Sequence, residues 1–384
     1  MKTVTKLPTD KSNPTAVRHA MTGGRQVVLV FQGGGALGAY QAGTYQALHE
    51  AGIEPDWMVG TSIGAINASL IAGNTPDKRL EKLTEFWMRV AQKSMGGIWP
   101  QLNKTMQYLN TVISGVPNFF APNPMAFMGQ NVALGPDHAA FYSTLLLEQT
   151  LGDLVDFDLL KTCTPRLTVG AANVGTSQMR YFDSRDMPID VRHIMASGAL
   201  PPAFPAVRID GAQYWDGGIL SNTPTEVVFD DNPRRNSLVF SVHLWNPEGP
   251  EPGTIQEVLH RAKDVQYSSR VTGQIMRQKQ THHLRHVIKA LVEHIPEAAR
   301  SQDVVRELES WGCATQMHVM RLLAPTLANE DHTKDIDFSP EGISARWKAG
   351  YEDAVAAIAA APWQAVCDPL EGVILHEHPW GIPA

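Results

Sequence analysis

The pentapeptide Gly60-Thr61-Ser62-Ile63-Gly64 stands between a short apolar run, Trp57-Met58-Val59, and an apolar helical stretch from Ala65 to Ala72. A chain that turns from a buried strand into a helix is crowded at the turn, and glycines on either side relieve that crowding. The serine between them then projects its hydroxyl into the open at a helix N-terminus, which favours negative charge. The pattern predicts a nucleophilic Ser62 at a strand-to-helix elbow. The alternative is an ordinary Gly/Ser-rich turn.

A second glycine-rich segment, Gly33-Gly34-Gly35-Ala36-Leu37-Gly38, follows a run from Val27 to Phe31 that is apolar throughout, as in a parallel strand buried on both faces. It opens a helical pattern that ends at Gly52. Consecutive glycines leave backbone N–H groups free to point at one spot, and at a helix N-terminus such a cluster binds an anion or a developing oxyanion. Gly33, Gly34 and Gly35 are therefore candidate oxyanion donors.

The same segment also fits the G-x-G-x-x-G pattern of dinucleotide-binding proteins. In that class an acidic residue about 20 residues further on, near the end of the second strand, holds the ribose. Here Glu54 and Asp56 come before the second strand, and the strand ends in Gly60, Thr61 and Ser62. A dinucleotide site is disfavoured for this reason.

A third motif, Asp216-Gly217-Gly218, follows a predicted hairpin whose turn is Asp210-Gly211, a strong two-residue hairpin signal. Asp216 is expected where the second strand of the hairpin ends, and the two glycines let the backbone pass close to another group. Alone, the motif indicates a turn. Beside the other two motifs it indicates a catalytic carboxylate.

These three motifs, in this order, resemble the patatin-like phospholipase family, as does the segment from Ala196 to Pro205. The resemblance covers about residues 25–245 and implies a patatin-like three-layer α/β/α sandwich with a mostly parallel central sheet. It implies a Ser-Asp dyad with Ser62 as nucleophile and Asp216 as base. The remaining site residues implied by it are Gly33, Gly34 and Gly35 in the oxyanion hole, supported by Gly60, Gly64, Gly217 and Gly218.

The function implied is that of a serine acyl hydrolase, phospholipase A-like or an esterase, that works through an acyl-enzyme on a lipid or another acyl ester. No cofactor or metal is expected. Many family members carry Arg or Lys where this chain has Leu37, which leaves open a neutral-lipid or aliphatic polyester hydrolase and a non-catalytic lipid- or acyl-binding module. A triad of Ser62, Asp216 and His243 is the alternative to the dyad.

The coarse pattern alternates strands with helices, which predicts an α/β sandwich. Strands are expected at residues 166–173 and 238–244, the second closing the sheet, and a helix at 191–197. The expected domains are a flexible N-terminal arm (1–24), a catalytic domain (25–245) with an apolar lid or cap (95–140), and a mainly helical C-terminal appendage (250–384). In the last, His282 and His286 have the spacing of a metal pair but are interpreted as a solvated helix face.

Composition excludes some function classes. A formal net charge of −7 argues against nucleic-acid binding. Three widely separated cysteines suit a reducing compartment and are expected to be packed thiols. The polar first 22 residues do not resemble a signal peptide, so the expected location is the cytoplasm, with residues 95–140 as the candidate for peripheral contact at the inner membrane surface. The oligomeric state is left open.

Overall fold

The computed structural model describes residues 14–92, 108–129, 131–268, 271–327 and 330–377. The strands are β1 (Gln26–Phe31), β2 (Trp57–Thr61), β3 (Ala121–Pro122), β4 (Tyr142–Ser143), β5 (Arg166–Asn173), β6 (Gln178–Asp183), β7 (Val207–Ile209), β8 (Ala212–Asp216), β9 (Ser237–His243), β10 (Met317–Leu323) and β11 (Val373–His376).

The helices whose two ends are described are α1 (Pro14–Thr22), α2 (Ala39–Glu50), α3 (Ile63–Ala72), α4 (Pro76–Arg89), α5 (Leu145–Leu154), α6 (Val191–Ser197), α7 (Glu226–Phe229), α8 (Ile255–Ser268), α9 (Val271–Glu293), α10 (Glu297–Arg300), α11 (Asp303–Ser310) and α12 (Pro340–Ala360). Short 3-10 turns include Gly35–Gly38, Pro124–Met128, Gly217–Ile219 and Lys334–Ile336.

One nine-stranded sheet forms the centre, in the order β11-β10-β9-β1-β2-β5-β8-β7, with β6 also paired to β5. The pairs from β11 to β5 are all parallel, whereas β6 and β8 pair antiparallel with β5, and β7 with β8. This mostly parallel sheet confirms the fold class expected from the sequence.

Two separate apolar cores lie on opposite faces of the sheet. Along β1, Val27, Leu29 and Phe31 belong to one core, and Val28 and Val30 belong to the other. This is the alternation that a strand imposes when both of its faces are buried. The first core is covered by α2, α3, α4 and α12, and the second by α7 and α9. Three layers result.

The sheet continues beyond the strand that was expected to close it. β10 pairs in parallel with β9, and β11 pairs in parallel with β10, so both strands come from the C-terminal region. The same region contributes α12, which packs closely against α2. The C-terminal region therefore adds strands to the central sheet as well as helices around it.

Residues 14–22, expected to lie in a flexible arm, form helix α1 instead. Arg18 pairs with Asp56, Thr22 is buried, and the Met21 carbonyl accepts a hydrogen bond of 2.8 Å from Trp363 Nε1. These contacts come from distant parts of the chain, so local composition does not reveal them. Residues 1–13 of the predicted arm lie outside the described residues.

The prediction that His282 and His286 face solvent is wrong. Both are buried on α9, whereas Leu284 and Leu291 of the same helix are 61% and 60% exposed. The two ring nitrogens of His286 lie 2.9 Å from the carbonyl oxygens of Pro369 and Thr315, respectively. The histidine face of α9 can be buried because these backbone carbonyls supply hydrogen-bond partners. No cluster of three metal-ligating side chains occurs in the described part of the chain.

The predicted lid (95–140) is only partly described, since residues 93–107 and 130 lie outside the described ranges. The rest contains helical residues 108–114, the 3-10 turn Pro124–Met128 and strand β3, which pairs with β4. Phe119 and Phe120 are each 7% exposed and belong to the core. Among the helices of the described residues, none has the length and apolar character needed to cross a membrane.

Candidate active site

Strand β5 brings the predicted nucleophile and base together. Thr61, at the end of β2, pairs with Gly170 of β5, and Asp216, at the end of β8, pairs with the next residue, Ala171. β6 runs alongside both positions on the opposite edge of β5. Strands β2 and β8 therefore approach β5 from the same side, and their ends meet. Ser62, which directly follows Thr61, is brought next to Asp216.

The backbone of Ser62 forms the sharp elbow that the pentapeptide predicts. Its φ of 56° and ψ of −126° lie outside the conformations that residues with side chains usually adopt. A Cβ on Gly60 would lie 2.4 Å from the carbonyl oxygen of Gly64, and one on Gly64 would lie 2.3 Å from that of Phe31. Both glycines are therefore required by close backbone approach on either side of the serine.

A second serine holds the elbow against β5. The Ser62 N–H donates to the Ser197 hydroxyl at 3.0 Å, and this hydroxyl donates to the Gly170 carbonyl at 2.6 Å. Ser197 is the last residue of α6 and is completely buried. The sequence offers no signal for this role beyond the resemblance of the segment around Ser197 to the family.

Asp216 lies in an environment that makes it a stronger base than a free carboxylate. Its side chain is buried, and this burial raises the pKa of Asp216 to about 6. Hydrogen bonds from the Ser62 hydroxyl and from the Gly218 N–H, the latter at 2.7 Å, oppose part of the rise in pKa. Burial disfavours the charged form, so Asp216 holds a proton more firmly than a carboxylate in water.

The three loop glycines are not equivalent. The Gly33 N–H donates to the Asn222 carbonyl at 3.1 Å, so it is already engaged. The N–H groups of Gly34 and Gly35 have no hydrogen-bond partner within the described ranges. Both residues line the same cavity as Ser62 and Asp216. Of the three predicted donors, Gly34 and Gly35 have N–H groups that no described residue engages.

An apolar cavity with a volume of about 230 Å³ opens beside Ser62. An aromatic cluster forms part of its wall, with ring centroids 5.2 Å apart for Phe120 and Phe204 and 5.6 Å apart for Phe119 and Phe338. Its aliphatic lining residues are Ile63, Ile66, Val112, Leu147, Leu200, Ala203 and Ile336.

The C-terminal region forms part of this site, which sequence analysis did not predict. Tyr267, Asp335 and Phe338 line the cavity. Gly35 has a φ of 56°, and a Cβ there would lie 2.1 Å from the Asp335 carbonyl oxygen. Lys334 and Leu37 line the same small second cavity, and the Lys334 ammonium group donates to the Asp264 carboxylate at 2.7 Å. The polar stretch around residue 334 has no periodicity that would reveal this contact.

His243, the alternative third member of a triad, does not line the cavity. Its Nε2 lies 2.8 Å from the Ser241 hydroxyl on the same strand. Burial lowers the pKa of His243 to about 3. No histidine is among the described residues that line the cavity with Ser62 and Asp216.

Two family models match this chain, and the first covers the segment that contains the glycine loop, Ser62 and Asp216. A family model described as Patatin-like phospholipase matches residues 29–229, which is 201 of 384 residues, and one described as Patatin phospholipase matches residues 265–370. The patatin-like phospholipase domain-containing protein ZK370.4 of Caenorhabditis elegans is 26% identical over 228 residues, covering 59% of this chain and 14% of that protein. The lysophospholipase nte1 of Aspergillus terreus is 27% identical over 265 residues, covering 62% of this chain and 15% of that protein.

This chain thus spans about a seventh of the length of the curated relatives it matches. Among solved structures, VipD from Legionella pneumophila aligns with a TM-score of 0.38 at 15% identity, over 88% of this chain and 67% of that chain. That likeness is too weak to support an argument. The first family model matches more than half of the chain and includes the glycine loop, Ser62 and Asp216. The chain therefore belongs to the patatin-like phospholipase family.

Proposed function

We propose that this protein is a lipid acyl hydrolase in which Ser62 and Asp216 act as a catalytic dyad. The observation that carries the proposal is the meeting of β2 and β8 on β5, which sets the elbow serine beside a buried carboxylate. The family description and the relatives' names, a patatin-like phospholipase and a lysophospholipase, support a lipid ester as the substrate.

In the first step the Ser62 hydroxyl oxygen attacks the ester carbonyl carbon, and Asp216 takes the hydroxyl proton. The carbonyl oxygen becomes an oxyanion that the free N–H groups of Gly34 and Gly35 stabilise. The tetrahedral intermediate collapses, the bond to the alcohol oxygen breaks, and the alcohol leaves with the proton from Asp216. The acyl group remains on Ser62.

In the second step a water molecule attacks the acyl-enzyme carbonyl, and Asp216 takes the water proton. Collapse of the second tetrahedral intermediate releases the carboxylic acid, and the proton returns to the Ser62 oxygen. A base is most effective when its pKa lies near the working pH. The raised pKa of Asp216, about 6, suits this repeated proton transfer.

The cavity favours an aliphatic acyl group over a polar one. Its aromatic and aliphatic walls offer few polar partners, and burial of an alkyl chain there is stabilised by the hydrophobic effect. The acyl chain of a phospholipid or lysophospholipid would occupy the cavity, with its carbonyl between Ser62 and the glycine loop.

Peripheral contact with a lipid surface belongs to the same proposal. Ile113 and Leu145 are 68% and 65% exposed; Ile113 directly follows cavity-lining Val112, and Leu145 lies two residues before cavity-lining Leu147. The Tyr142 hydroxyl donates to the Val112 carbonyl at 2.8 Å, which holds the two exposed segments together. Exposed apolar groups beside the entrance of an apolar cavity suit docking on the inner membrane surface. Flotation with phosphatidylcholine vesicles tests this: Ile113→Ser/Leu145→Ser should float less than the wild type.

The control for flotation is Ile255→Ser, which removes a side chain that is 83% exposed at the start of α8. It should float like the wild type. Equal flotation of the double variant and the control would refute the lipid-facing assignment of this surface.

The dyad is tested by Ser62→Ala, with Ser69→Ala as matched control, since Ser69 lies on α3, does not line the cavity, and uses its hydroxyl to donate to the Ile66 carbonyl. Hydrolysis of phosphatidylcholine, lysophosphatidylcholine and p-nitrophenyl esters of several chain lengths should disappear in Ser62→Ala and persist in the control. A fluorophosphonate probe should label Ser62 in the wild type. Turnover by Ser62→Ala within a few-fold of wild type would refute the proposal, and an inactive wild type that binds fatty acids would favour a binding module.

A further inference from the structure

We infer that Trp245 and Asn222 are positioning residues that hold the Gly33–Gly34 peptide in the orientation required of an oxyanion hole. The inference rests on the proposed function. It concerns two side chains that line the cavity beside Ser62 and hold the glycine loop. Asn222 opens the segment Asn222-Thr223-Pro224, which follows the Asp216-Gly217-Gly218 motif, whereas no motif singles out Trp245.

The Gly33 carbonyl is held by two side-chain donors. Trp245 Nε1 donates to it at 2.8 Å, and Asn222 Nδ2 donates to it at 3.1 Å. A trans peptide is planar, so the N–H of Gly34 points opposite to the carbonyl of Gly33. Because the Gly33 carbonyl points at the indole of Trp245, the Gly34 N–H points away from that indole. Gly34 lines the cavity with Ser62, and its N–H has no partner among the described residues.

This peptide needs to be held because glycine stands on both sides of it. Without a Cβ on either residue, the backbone tolerates conformations in which the peptide is rotated and its carbonyl and N–H exchange places. In the rotated form the carbonyl of Gly33 would face the developing oxyanion and repel it. Rotation would also leave the buried indole N–H of Trp245 without its acceptor, which disfavours the rotated form.

The two anchoring side chains are themselves fixed by neighbours. The backbone N–H of Trp245 donates to Oε1 of the buried Gln32 side chain at 3.1 Å, and the indole ring centroid lies 4.9 Å from the ring centroid of Tyr267. The ammonium group of Lys334 lies 5.2 Å from the same indole ring. Asn222 is fixed by its backbone carbonyl, which accepts the Gly33 N–H at 3.1 Å. The indole thus packs between Tyr267 and Lys334, so the C-terminal region helps to fix the side chain that holds the glycine loop.

Trp245→Phe tests the inference because it removes the indole N–H and keeps an aromatic ring. Trp363→Phe is the matched control: Trp363 is completely buried, and its Nε1 donates to the Met21 carbonyl at 2.8 Å, outside the cavity. Loss of a whole oxyanion donor lowers kcat by about 10²–10³, so weakened positioning should lower kcat of Trp245→Phe by about 10- to 100-fold. KM should change by less than about twofold. Trp363→Phe should keep kcat within about twofold.

A second readout separates positioning from general structural damage. A trifluoromethyl ketone forms a tetrahedral adduct with an oxyanion, whereas an unreactive amide of the same chain length does not. Trp245→Phe should lose ketone affinity in parallel with kcat and keep amide affinity. Asn222→Asp replaces a donor to the Gly33 carbonyl by a carboxylate. It should likewise lose ketone affinity and keep amide affinity, and it provides the test if Trp245→Phe does not fold.

The outcomes distinguish this inference from the proposed function. If the wild type is active while Trp245→Phe and Asn222→Asp keep its kcat and ketone affinity, or lose no more than Trp363→Phe, the inference is overturned alone. If the wild type hydrolyses no ester and is not labelled at Ser62, the proposed function fails, and the inference fails with it.

Discussion

Replacement of Asp216 by Asn should abolish catalysis and make the protein more stable at neutral pH. Burial raises the pKa of Asp216 from 3.8 to about 6. Each pKa unit corresponds to about 1.36 kcal/mol, so ionised Asp216 destabilises the native state by about 3 kcal/mol. The amide side chain of the Asp216→Asn variant would carry no charge, and its oxygen could still accept the Gly218 N–H hydrogen bond that now measures 2.7 Å.

The direction of the pH dependence follows from the raised pKa. Because the native state holds the proton of Asp216 more tightly than the unfolded chain, the contribution of this group to stability is fully present below about pH 3.8. That contribution is lost as the pH rises through about 6. The stability advantage of Asp216→Asn over the wild type should therefore approach about 3 kcal/mol at pH 8 and shrink towards pH 4. The wild-type kcat/KM should rise with pH through about 6 and then level.

Urea unfolding of both proteins between pH 4 and pH 8 measures this difference. Asp183→Asn is a control of opposite sign: burial alone would raise the pKa of Asp183, but hydrogen bonds from Arg166 and Thr168 outweigh burial and lower it. That variant should lose stability at pH 8. An Asp216→Asn protein that is no more stable than the wild type at pH 8, or whose advantage is constant with pH, would refute the reasoning.

Gly34→Ala would place a Cβ 2.9 Å from Leu244 Cδ1 and 3.1 Å from Trp245 Nε1, the group that holds the Gly33 carbonyl. We expect kcat to fall by about 10²–10³ with little change in KM; normal steady-state kinetics would contradict an oxyanion role for the loop. His243→Gln should keep most ester hydrolysis, because His243 does not line the cavity. A folded His243→Gln protein that is as inactive as Ser62→Ala would instead support a triad of Ser62, Asp216 and His243. Gly350→Ala would place a Cβ 1.9 Å from a carbonyl oxygen of α2, so it should lower the free energy of unfolding by about 1–3 kcal/mol and leave kcat unchanged; an unchanged Tm would show that the two helices can separate without cost.

Features that depend on neighbouring residues were predictable from the sequence. The strand at 166–173 and the helix at 191–197 match the structure residue for residue. Ser62 forms the expected elbow, because the apolar strand, the flanking glycines and the following helix are all contiguous in the chain. The mostly parallel sheet also followed, since strands that alternate with helices are usually joined in that way.

Features that depend on long-range pairing were not predictable. Nothing near Trp245 or Asn222 in the chain indicates that both side chains meet the carbonyl of Gly33. Likewise, the buried face of α9 was assigned to the wrong side, because the carbonyls that meet His286 lie at Pro369 and Thr315.

The sequence by itself determined the candidate reactive groups, since a serine at a strand-to-helix elbow, a glycine loop and a carboxylate after a hairpin are each local patterns. Only the tertiary structure decided which of them act together and with what strength. The ends of β2 and β8 meet because both strands pair with the same edge of β5, and Asp216 becomes a stronger base because the layers around the sheet exclude water from it. Desolvation and hydrogen-bond orientation are properties of the packed surroundings, which distant parts of the chain supply.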